Sequence, residues 1–135
     1  MASPRQLVWD RAGGRCEYCQ LPQALTIVAH AIDHIISQQH HGGTTADNLY
    51  LACAHCNRHK GPNLSGIDPE SNQLVRLFNP RVDSWTVHFR WRGATLEGLT
   101  DIGRGTIEVL AINDSDRIER RQLASQVGLF PPMDT

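Results

Sequence analysis

Asp33 to Gly61 reads DHIISQQHHGGTTADNLYLACAHCNRHKG, and most of the reactive side chains of the chain stand in or near it. An Asp-His pair opens it, Asn48 follows His34 by 14 positions, and Asn57 comes nine later, directly behind a Cys-x-x-Cys. A second Cys-x-x-Cys, Cys16 to Cys19, stands upstream. Two such pairs suit one tetrahedral zinc ion, because each turn sets two thiolates on the same side of the metal. The 33 residues between Cys19 and Cys53 exceed the usual zinc-finger spacing, and a β-hairpin inserted between the knuckles accounts for the excess. Four ordinary buried cysteines or a redox pair are the alternatives; the presence of two pairs favours zinc. Four thiolates (Cys16, Cys19, Cys53 and Cys56) leave no open coordination position, so the ion is expected to be structural.

Working outward, Thr26 to Ile36 is apolar and β-branched and predicts one strand carrying Asp33 and His34 near its end. Adjacent strand residues point to opposite faces, so this pair can serve two partners. Ser37 to Asp47 is a polar loop bent at Gly42-Gly43, and Asn48 to Ala52 predicts the returning strand. The second knuckle opens a short helix that Gly61-Pro62 stops. Upstream, Ser3 and Pro4 start a helix over 4–12 and Gly13-Gly14 ends it. Downstream the composition changes. Asn63 to Asn79 is turn-rich, with Leu74–Phe78 a possible strand; Trp85–Trp91 alternates like a strand and turns at Gly93 toward Thr95–Leu99 as a hairpin. Thr100 can cap a helix over 101–112, and a last helix near 116–127 closes at Gly128.

A chain of 135 residues with 40% apolar content reads as one domain with a modest core, of the kind that often relies on a metal staple. There is no apolar run of signal-peptide or transmembrane type, so a cytoplasmic protein without membrane contact is expected, and reduced cysteines with it. The net charge of −1 excludes a strongly basic nucleic-acid binder, yet six Lys/Arg stand against three acids between Arg58 and Arg92. Twelve of the 13 basic residues are Arg, whose planar fork suits phosphate.

The order His34, Asn48, Asn57 between Cys-x-x-Cys pairs resembles the HNH endonuclease family, over about Arg11 to Gly61. The resemblance implies an α+β fold: a zinc-stapled ββα-metal core over about 11–62 and a C-terminal extension over about 63–135, a small β-hairpin and two helices. It implies hydrolysis of DNA phosphodiesters, with His34 as general base, Asp33 and Asn57 as ligands of one catalytic Mg²⁺ or Mn²⁺, and Asn48 bracing the loop and orienting His34. Histidine is a suitable base near neutral pH. The family's products carry 5′-phosphate and 3′-hydroxyl ends. Arg58 and Lys60, beside Asn57, are the phosphate-contact candidates. Ser37 departs from the Pro that many HNH sequences carry after Ile-Ile. His40 and His41 lie in the variable loop, and Trp85, Phe89 and Trp91 read as core aromatics before base-stacking ones. The rival reading is a zinc-ribbon-like nucleic-acid-binding module that does not cleave.

Overall fold

The computed structural model describes residues 3–132. Helix α1 (Pro4–Ala12) starts where Ser3 Oγ accepts the Gln6 amide at 3.1 Å, and it ends at Gly13, whose φ of 62° is a left-handed C-cap. After the first knuckle comes β1 (Ala31–His34), paired antiparallel with β2 (Leu49–Ala52); Asp33 stands opposite Tyr50, and His34 opposite Leu49. Helix α2 (Ala54–Lys60) follows, with Cys53 as its N-cap. These three elements are the ββα unit.

The strand expected over 26–36 is shorter than its composition implied. Thr26 Oγ1 donates to Val28 O at 2.9 Å, Gln23 holds the His30 amide with its side chain, and Ile27 and Val28 are exposed. The partner strand β2 has only four residues, so residues 26–30 have no ladder to join. All four β2 residues are buried. Leu49 and Leu51 pack with Val8 of α1, while Tyr50 and Ala52 enter the main core, as strand alternation requires.

The extension begins with a hairpin of β3 (Ser65–Ile67) and β4 (Leu74–Arg76). Of these, β3 was hidden by the turn-rich composition. Gly66 belongs there for a packing reason: a Cβ would come within 2.3 Å of Val109 Cγ2, on the helix that lies across the hairpin. Residues Trp85–His88 form a short helix, α3, in place of the expected strand, which is confined to β5 (Phe89–Arg92). Trp85 stacks on Phe89 and Trp91 and donates Nε1–H to Tyr18 O at 3.0 Å, and this tertiary packing overrides its strand propensity. Gly93 turns β5 into β6 (Thr95–Gly98) as expected. Thr100 Oγ1 caps α4 (Asp101–Leu110) by accepting the Gly103 amide, and α5 (Ser115–Gln126) closes the order.

One apolar cluster joins the two halves: Tyr18, Tyr50 and the four cysteines on one side, Phe78, Phe89, Leu96, Leu110 and Ile112 on the other. Among the described residues, no helix is long and apolar enough to cross a membrane.

Candidate active site

The two ends of the ββα unit hold different chemistry. At one end the knuckles meet. Backbone amides of Cys19 and Cys56 point at the Sγ atoms of Cys16 and Cys53, each at 3.5 Å, so the two turns have the same geometry. The four Sγ atoms lie within 4.8 Å of one another, with Cys19 and Cys53 at 3.8 Å, and all four side chains are buried. Zn–S bonds of about 2.3 Å in a tetrahedron place sulfurs about 3.8 Å apart, so the cluster fits one zinc ion. From protein groups alone the thiols are not equivalent. Hydrogen bonds from Cys16, Cys19 and Cys56 pull the Cys53 pKa far down. Burial pushes the Cys16 thiol well up, and its three thiol neighbours, with burial, do the same to Cys56. Only a bound cation makes four thiolates compatible in so dry a site. The extension contributes as well: Arg117 Nη2 donates to Cys53 Sγ at 3.4 Å.

At the other end stand Asp33, His34, Asn48 and Asn57. Alternation along β1 was expected to send Asp33 and His34 to opposite faces. Instead the Asp33 carboxylate folds back, with Oδ1 2.7 Å from the His34 amide and 3.4 Å from His34 Nδ1. The Asp33 side chain keeps 48% of its surface exposed. His34 Nε2 lies 2.9 Å from Thr44 Oγ1, a partner from the loop. Asn48 closes that loop: its Oδ1 accepts from Ile36 N, and its Nδ2 donates to Ile36 O and Gly43 O. Its partners are loop backbone, and Thr44 is the loop residue in contact with the imidazole. Gly42 is required here, because a Cβ would come within 1.7 Å of Ile36 O.

Asn57 Oδ1 accepts from the Tyr50 hydroxyl at 2.7 Å. Tyr50 is fully buried and stands across the ladder from Asp33, so it sits beside both oxygen donors. Burial first, then the Asp33 charge, raises the Tyr50 pKa far enough that the phenol remains a donor at every working pH.

Residues 16–63 match the HNH endonuclease family model. The two knuckles, the hairpin between them and the helix after them are this segment. The chain is also similar to the Septu protein PtuB of Bacillus thuringiensis, 24% identical over 111 residues, which covers 81% of this chain and 40% of that protein. The chain therefore spans about two fifths of the length of this curated relative. No solved structure matches significantly. The HNH segment and this distant relative support a nuclease-type function.

Of the two phosphate candidates in the HNH helix, Arg58 is exposed and Lys60 is not. Lys60 is 2% exposed; its Nζ donates to Ile35 O at 2.9 Å and lies over the Tyr50 ring. Burial lowers its pKa, partly offset by the charge of Asp33. It braces the hairpin from below and offers no ammonium to a phosphate at the surface. Most of the basic excess over 58–92 is paired with acids of the same chain, largely at the surface. Arg76 forms a bidentate pair with Asp83, Arg81 pairs with Glu17, and Arg90 and Arg92 share Glu97. Arg58 is the exposed member of the six without an acidic partner among the described residues. It lines a groove of about 410 Å³ together with Arg117, Arg120 and Thr26–Val28. Trp85, Phe89 and Trp91 pack on one another in the core cluster. Thr44 and Tyr50 escaped sequence reasoning. Tyr50 was within reach of it, since pairing β1 with β2 places it opposite the carboxylate.

Proposed function

We propose that the protein is an endonuclease that hydrolyses DNA phosphodiester bonds, with residues 1–135 acting as one domain. The observation that supports this most directly is the grouping of Asp33, His34 and Asn57 at the open end of the hairpin, with Tyr50 beside both oxygen donors. A closed zinc cluster without this group would suit a binding module. An exposed carboxylate next to an imidazole suits catalysis.

The residues fit a hard divalent ion, since a carboxylate and an amide oxygen are the donors Mg²⁺ and Mn²⁺ prefer. Asp33 and Asn57 would hold it; the Tyr50 hydrogen bond uses one lone pair of Asn57 Oδ1 and leaves the other free. When bound, such an ion neutralises charge on the leaving oxygen. The protein's own share is proton transfer and positioning. In the tautomer that directs Nε2–H at Thr44 Oγ1, Nδ1 keeps its lone pair and can take a proton from the attacking water. Asn48 keeps the loop that carries Thr44 in place. Arg58 contacts the phosphate backbone. By resemblance to HNH nucleases the 3′ oxygen leaves, so the products carry 5′-phosphate and 3′-hydroxyl ends.

A plasmid cleavage assay with Mg²⁺, Mn²⁺ and EDTA, run beside His34→Ala, tests the proposal. Nicking is expected with either metal and lost in EDTA, and ligase is expected to reseal the nicks without end repair. Full activity in EDTA, or 3′-phosphate ends, overturns the assignment of Asp33 and Asn57. Binding without any cleavage favours the zinc-ribbon-like reading.

A further inference from the structure

A third group of ligating side chains lies outside both ends of the ββα unit. His55 and His59 are four apart on α2 and so share a face of that helix, with ring centroids 4.3 Å apart. Asp114, the residue before α5, meets them from the extension. Each of the three offers one ligand atom, and the three atoms lie within 4.8 Å of one another. We infer that His55, His59 and Asp114 form a second transition-metal site, taking a divalent ion such as Zn²⁺ or Co²⁺ with two imidazole nitrogens and one carboxylate oxygen.

The surroundings favour this use. His55 is only 8% exposed, and its Nε2–H donates to Ala111 O at 2.9 Å. That bond fixes the tautomer and leaves Nδ1 with its lone pair. A backbone carbonyl holding the other ring nitrogen is a common support for ligating histidines. The same Ala111 carbonyl accepts the Asp114 amide at 3.2 Å, so the turn that presents the carboxylate is tied to the ring that would share the ion. Asp114 makes no side-chain capping bond to α5, although it stands at the N-cap position where Asp usually makes one. Its carboxylate is available to another partner.

The donor set differs from both other candidate sites. The cysteine cluster offers four sulfurs, and Asp33 with Asn57 offers oxygens for a hard ion. Two imidazoles and one carboxylate select the ions from cobalt to zinc and keep at least one position open for water. An ion here joins α2, which carries Asn57, to the corner between α4 and α5, so it fastens the proposed catalytic helix to the extension.

Untagged protein with its thiolate-bound zinc retained is titrated with Co²⁺, and binding is followed by equilibrium dialysis and visible absorption. About one cobalt per chain is expected beyond the zinc, with weak d–d bands and no thiolate-to-cobalt charge transfer. His59→Ala and Asp114→Ala should each abolish it, while Asp33→Ala should not. Asp114 is exposed, so its variant is expected to fold, and circular dichroism checks this. Absence of a second equivalent, or its persistence in both His59→Ala and Asp114→Ala, overturns the site. Its loss in Asp33→Ala alone assigns the cobalt to the Asp33 end and overturns it equally.

Discussion

The two ends of the ββα unit are built from the same short hairpin and differ in what they leave open. At the knuckle end every chemical group is buried and turned toward its neighbours, and Arg117 covers the cluster from the extension. At the His34 end the groups are held from behind: Thr44 on the imidazole, Asn48 on the loop, Tyr50 on Asn57, Lys60 on Ile35 O. The Asp33 carboxylate faces outward. A closed donor set fixes structure, and a supported, solvent-facing one suits the proposed chemistry. The contrast between them is open to direct attack by mutation.

The largest effect is expected at the closed end. Cys53→Ser should lose zinc and most of the folded signal in circular dichroism, since structural zinc contributes on the order of 10 kcal/mol in small domains. A folded, zinc-free variant would remove the distinction between the ends. Next is His34→Ala. It should retain the spectrum and DNA affinity of the wild type and lose cleavage by about 10²-fold or more, measured by plasmid nicking. Equal cutting would direct attention to His40 or His41.

Tyr50→Phe sharpens the comparison by removing one hydrogen bond and little volume. Stability should fall by about 1 kcal/mol in urea melts. Cleavage should need roughly tenfold more Mg²⁺, because Asn57 loses its orientation. An unchanged metal requirement would separate Tyr50 from the site. The smallest effect belongs to the surface. Arg58→Ala with Arg120→Ala should reduce the slope of log affinity against log salt by about 2, one counterion for each lost phosphate contact. An unchanged slope would place the phosphate track away from this groove.

Much of the HNH segment, and several element boundaries outside it, were legible because their signals are local. Paired cysteines specify a turn geometry, Ser3 and Thr100 make the caps their positions suggest, and Gly93 turns its hairpin. What was hidden depends on partners distant in sequence. Residues 26–30 have strand composition but no strand beside them. Trp85–His88 is helical because Trp85 docks on Tyr18, 67 residues away. Lys60 looks like a phosphate ligand until the backbone at Ile35 claims its ammonium. The basic excess over 58–92 looked like a nucleic-acid surface, yet the acids that neutralise Arg81, Arg90 and Arg92 lie outside that window, at Glu17 and Glu97.

Arg117 carries a consequence for how the last helix is held. Its guanidinium is buried against Cys53 Sγ, contributed by a residue 64 positions earlier. Burial alone would lower its pKa, but the negative charge at Cys53, Cys19 and Cys56 outweighs this and raises it. A buried cation without an anion is costly, so the negative charge at Cys53 supports the docking of α5. A chain lacking zinc would keep its last helix tied by Arg121 to Ala94 O and Ile112 O, yet would loosen the hold at Arg117, so metal content at the knuckles would be felt at the far end of the chain.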